Sequence, residues 1–140
     1  MKKEVIVSIK GIQVLEGNQD DSMEIVTVAE YYVRNNKHYI TYEDWDDDYK
    51  ASTKNLIKIS DTQIEIQKRG IVSTNMSFKC GVSNKTYYQT PFGEFLIEID
   101  TKDIDMDIQD TNIDISINYS LNINEQHIAD NKIQLNIKER

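Results

Sequence analysis

The sequence predicts an all-β fold: an antiparallel β-barrel or strongly curved sheet of about eight to ten strands with little helix. Apolar residues recur at every second position along most of the chain. Turn-forming residues break these runs at short intervals. A meander of that many strands within 140 residues must close or stack, because open sheet edges invite aggregation.

The first run holds Val5, Val7 and Ile9, then changes phase to Ile12 and Val14 with Gly11 at the change. One extra residue there would shift the register and bend the strand, so a β-bulge is expected at Gly11. Gly17-Asn18-Gln19-Asp20-Asp21 reads as the first turn and Asn35-Asn36 as the second. Between them, Val26 to Tyr32 is β-branched and aromatic, which favours strand over helix. Ser60-Asp61, the stretch Gly81 to Asn84, and Asp130-Asn131 mark further turns. Ile64 and Ile66 form a short apolar stripe, and Val72, Thr74, Met76, Phe78 and Cys80 another. Thr90-Pro91-Phe92-Gly93 is the sharpest turn signal, with proline's preset φ at its second position. Ile104, Met106 and Ile108 alternate with Asp105 and Asp107. The clearest strand carries Ile113, Ile115, Ile117, Tyr119, Leu121 and Ile123 on one face. A short helical turn is expected around Glu125-Gln126-His127, before the last strand of Ile133, Leu135 and Ile137.

Composition narrows the function. Residues 1–140 read as one domain with room for one core. Asp and Glu number 24 against 16 Lys and Arg, a net charge of −8. That balance argues against non-specific binding to nucleic acid or to an anionic membrane, which need a basic face. The single cysteine, Cys80, excludes an internal disulfide and a tetrathiolate zinc site. Glu4 and Lys10 interrupt what would be the apolar core of a signal peptide, and no apolar run reaches the roughly 20 residues of a membrane span. The expectation is therefore a cytoplasmic protein, in which the sequons at Asn75, Asn84 and Asn118 are chance matches. No phosphate-cradling loop, serine elbow or metal-type histidine pair is present.

Tyr39-Ile40-Thr41-Tyr42-Glu43, Met76-x-Phe78, Tyr88-x-Thr90-Pro91-Phe92-Gly93, Tyr119-x-Leu121 and Asn131-x-Ile133 follow one another in this order. Together they resemble the DUF1934 family of small bacterial proteins, over nearly the whole chain. The Thr-Pro-Phe-Gly turn is the most specific element. The resemblance implies a calycin-like (lipocalin-like) antiparallel β-barrel and a bacterial, cytoplasmic origin, and it implies no reaction. The chain departs from the family pattern at Lys68-Arg69-Gly70, at Asp44 to Asp48, and at Asn55, where a threonine is expected.

Each candidate site has a plain alternative. Asp44, Asp46, Asp47 and Asp48 with Glu43 offer oxygen ligands for calcium, but the EF-hand spacing fails and a solvated loop explains them. Asp103, Asp105 and Asp107 share one strand face and should point to water. His38 and His127 lie in turns with no nucleophile beside them, and both are expected to be exposed. Cys80 reads as a small core side chain. Lys68 and Arg69 precede Gly70 at a hairpin end, with Arg69 directed outwards and Lys68 inwards or at the rim; either suits a ligand carboxylate. Alternation places Tyr39 and Tyr42 on opposite faces, and likewise Tyr87 and Tyr88.

The first functional expectation is a non-catalytic binding module for a small apolar or carboxylate ligand inside the barrel. Its candidate residues are Tyr39, Tyr42, Glu43, Lys68, Arg69 and Tyr88. The alternative is an interaction or scaffold protein with a filled barrel, acting through its acidic surface and Trp45. No cofactor, metal or catalytic residue is expected, and the chain should be a monomer or homodimer.

Overall fold

The structure is a computed structural model that describes residues 1–14 and 20–140, without the side chains of Val14, Asp20 and Asp21. The turn expected at residues 17–21 thus falls largely outside the described residues. Ten strands follow in order: β1 (Glu4–Val14), β2 (Asp20–Arg34), β3 (Lys37–Asp46), β4 (Ala51–Ile59), β5 (Gln63–Arg69), β6 (Thr74–Lys79), β7 (Ser83–Thr90), β8 (Gly93–Ile108), β9 (Asn112–Ile123) and β10 (Gln126–Glu139). All pairings are antiparallel, and the sheet runs β6-β5-β4-β3-β2-β1-β10-β9-β8-β7. The two outer strands meet where Ser73 and Gln89 exchange backbone hydrogen bonds of 3.0 and 2.9 Å. That contact nearly closes the sheet into a barrel. No helix among the described residues is long and apolar enough to cross a membrane.

The hairpins follow from turn chemistry. Asn35 and Asn36 have φ of 53° and 62°, as do Asn124 and Glu125 at 50° and 70°. Both pairs make tight two-residue turns whose twist matches that of the strands. The helical turn expected around Glu125-Gln126-His127 is instead the β9–β10 hairpin. Two residues suffice to reverse the chain, and Gln126 and His127 already pair with β9. At the β7–β8 turn the Thr90 hydroxyl accepts from the Phe92 amide at 3.1 Å and donates to the Gly93 carbonyl at 3.0 Å. Gly70 is required by its surroundings: a Cβ there would lie 2.4 Å from the Ser52 carbonyl oxygen.

No bulge occurs at Gly11. Its neighbours pair in unbroken register with both β2 and β10. The register shifts lie elsewhere, between Thr101 and Asp103 in β8 and between His127 and Ala129 in β10. The β8 bulge moves the buried phase from Ile97 and Ile99 to Ile104 and Met106, an alternation change visible in the sequence. Its backbone also holds the β6–β7 turn, with Gly81 donating to Thr101 O at 3.0 Å. Cys80 is therefore not a core residue. It is exposed at this turn, its Sγ 3.3 Å from Lys102 O.

One apolar cluster fills the barrel. Phe78, Ile40, Ile57, Ile59, Ile64, Ile99, Ile113, Ile117 and Ile137 have essentially no exposed surface. Each isoleucine buried in this way contributes about 1.5–3 kcal/mol. The Tyr119 ring meets Phe78 edge-on, with centroids 5.0 Å apart. Burial, and Tyr88 beside it, push the Tyr119 phenol up to about 12.

Candidate functional site: the fork between β2 and β3

Within the sheet, the ladder between β2 and β3 stops short. β2 and β3 leave their hairpin paired from Arg34↔Lys37 to Glu30↔Thr41, and there the ladder ends. Beyond it β2 continues against β1 alone, down to Asp20. β3 continues against β4 alone, out to Asp46. The two strands thus form a fork, each arm with one edge unpaired among the described residues.

A cleft of about 790 Å³ lies at the crotch and is open to solvent. Val28, Ala29 and Glu30 form one wall and Thr41, Tyr42 and Glu43 the other. Lys54 and Leu56 of β4, and Gln67 and Arg69 of β5, extend its floor. Lys54 stands opposite Glu43 on one side and Arg69 on the other. Like charges directly opposite in a sheet destabilise it. Among the described residues neither Lys54 nor Arg69 forms an ion pair.

On the inner face a polar chain crosses three strands. Asp44 accepts from Asn55 Nδ2 at 2.9 Å, and Asn55 Oδ1 accepts from Lys68 Nζ at 3.1 Å. Asn55 is buried, so these bonds satisfy groups that would otherwise be costly. Tyr42 pairs with Asn55 in register, and burial, helped by Asp44, pushes its phenol up to about 12.

Three of the six candidate ligand residues therefore meet at the cleft: Tyr42, Glu43 and Arg69. Lys68 turns inwards and touches the cleft through Asn55, while Arg69 turns out. Tyr39 and Tyr88 lie elsewhere. Tyr39 is on the outer face, stacked on Tyr32 at 4.9 Å with Lys58 above its ring. Tyr88 faces inwards beside Tyr119, and burial raises its phenol. Reading the sequence missed Lys54, Leu56 and Val28, because only the strand register brings them to the cleft.

The β3 arm carries Trp45 and the acidic run from Asp44 to Asp48. Trp45 is 63% exposed on the β3 arm, its Nε1 donating to Asp47 at 2.8 Å. Asp46 accepts from the backbone amides of Asp48 and Tyr49 at 2.8 and 3.2 Å, so it shapes the β3–β4 turn. On the β2 arm Met23, Val26 and Val28 are 72%, 60% and 44% exposed. Asp103, Asp105 and Asp107 are exposed as expected, far along the sheet on β8. His127 is exposed, 3.8 Å from Asp130. His38 is not. It is half-buried, with Nδ1 2.6 Å from the Tyr31 hydroxyl, because the strand alternation turns it in beneath the hairpin. Burial lowers its pKa, with Asp61 opposing and the N-terminal amine adding slightly.

Known proteins resemble this chain over its whole extent. It is 31% identical over 128 residues to the uncharacterized beta-barrel protein YwiB of Bacillus subtilis strain 168, covering 90% of this chain and 88% of YwiB. The crystal structure of the ywiB protein superposes with a TM-score of 0.83 at 25% identity, covering all of this chain and 95% of the other. The model of the domain of unknown function DUF1934 matches residues 7–135. With its ten-stranded, nearly closed barrel, the chain belongs to the DUF1934 family.

Proposed function

We propose that this is a non-catalytic interaction module that works through the fork. One observation carries the reading. Residues 20–31 and 42–49, the two arms, hold nine carboxylates and no lysine or arginine. Exposed apolar side chains, Met23, Val26, Val28 and Trp45, lie on the same arms. A surface that joins one sign of charge to bare apolar groups favours a basic, partly apolar protein segment. The barrel interior, packed with isoleucine, supports a role at the surface over a ligand held within. Trp45→Ala tests this: stability should hold within about 0.5 kcal/mol while partner capture falls. Unchanged capture would overturn the reading.

A second reading rests on the paired cations. Lys54 opposite Arg69, above the apolar Val28 and Leu56, suits a small, partly apolar carboxylate in the wall cleft. A native mass spectrum of the protein from its own cells separates the two. A small added mass lost on denaturation supports this second reading, and a peptide-sized mass supports the first.

A further inference from the structure

The unpaired edge of β2 has a property that its charge does not explain. Strands at sheet edges are normally blunted by lysine, proline, a bulge or a covering loop. From Ser22 to Val28 this edge has none of the first two and a single charge, Glu24, and its register with β1 is unbroken. Every second residue along it therefore presents an N–H and C=O towards the fork that no described residue pairs with. The β3 arm, from Tyr42 to Asp46, presents the same pattern from the other side.

We propose that the β2 edge from Ser22 to Val28 takes an extended, basic segment of a partner protein by main-chain pairing, as an added strand. This rests on the interaction reading above and supplies its mode. The side chains define the segment. Met23, Ile25 and Thr27 share the inward phase with the core, and Glu24, Val26, Val28 and Glu30 the outward phase. An added strand places alternate residues on these two faces. Its inward residues should be apolar, and its outward residues should carry cations towards Glu24, Glu30 and Glu43. A second copy of this chain fits poorly, since antiparallel pairing centred on the β2 arm would set Glu24 of one copy against Glu30 of the other.

The test uses the intact protein and a synthetic peptide of about nine residues that alternates valine with lysine. Trp45 fluorescence reports binding, and amide hydrogen exchange reports its location. The expected result is binding with slowed exchange at residues 22–28. N-methylation of the peptide's alternate amides should weaken binding by about tenfold or more, since each blocks a main-chain hydrogen bond. Equal binding of the N-methylated peptide, with β2 exchange unchanged, would overturn strand addition and leave the acidic-fork reading standing. Failure of both peptides to bind at low salt would overturn both. A dimer of the free protein with β2 amides already protected would overturn the choice of partner.

Discussion

Between β1 and β10 the ladder runs unbroken for ten residue pairs, while between β2 and β3 it ends after five. The first region backs onto Val5, Val7, Leu135 and Ile137, all buried. The second ends beside Val26 and Val28, which face water. Both regions are built from β-branched residues in period-two alternation, so propensity does not separate them. The difference is partnership. A strand flanked on both sides satisfies every backbone group and seals the core behind it, whereas a strand flanked on one side leaves donors, acceptors and side chains available. Sealed core and exposed edge are thus placed in different parts of one sheet.

The comparison breaks first in the closed wall. Ile117→Ala, at a position with no exposed surface, should cost about 2–5 kcal/mol in urea denaturation. A loss below about 0.5 kcal/mol would mean that this wall is not the stable half. Gly70→Ala should follow, at about 1–3 kcal/mol, because the added methyl meets the Ser52 carbonyl and φ is +153°. Near-neutral behaviour would mean that the β5–β6 turn yields freely.

Hydrogen exchange sharpens the contrast within the native state. Amides of Ile113 to Ile117 should exchange only through global unfolding, and alternate amides of residues 22–28 through fluctuations close to zero cost. Uniform protection of both would remove the distinction between the two regions. His38 offers a smaller, pH-dependent probe at the base of the fork. Its folded pKa lies below 6.5, so the unfolded chain binds the extra proton first as pH falls. Stability should therefore decline as pH drops below about 6.5, and His38→Phe should flatten that part of the profile. An unchanged slope would show that the imidazole titrates as it does in water. The smallest effect belongs to the arm itself. Val26→Thr should change stability by less than about 0.5 kcal/mol while weakening peptide binding.

The candidate site was legible only in part. Tyr42, Glu43 and Arg69 stood out by residue type, and their faces followed from alternation. Tyr39 and Tyr88 stood out for the same reason yet lie away from the cleft, since an aromatic ring on a strand gives no sign of which surface it meets. Lys54 was silent because its significance lies in what stands opposite, and register is a property of two strands together. The phase change at Gly11 suggests a bulge there, yet the register shifts lie at Lys102 and Ile128, the first where the β6–β7 turn hydrogen-bonds the neighbouring backbone.

The sequence by itself determined the strands, most of their turns, the alternation that assigns side chains to core or surface, and the acidity of two neighbouring segments. Each of these is local: it follows from side-chain period, from turn chemistry, or from the count of charges along a few residues. Only the tertiary structure decided that β1 pairs with β10, that Ser73 and Gln89 close the barrel, and that β2 and β3 part at Glu30 and Thr41. Where a ladder stops depends on how the twist of the whole sheet is shared around the barrel. No window of sequence carries that quantity.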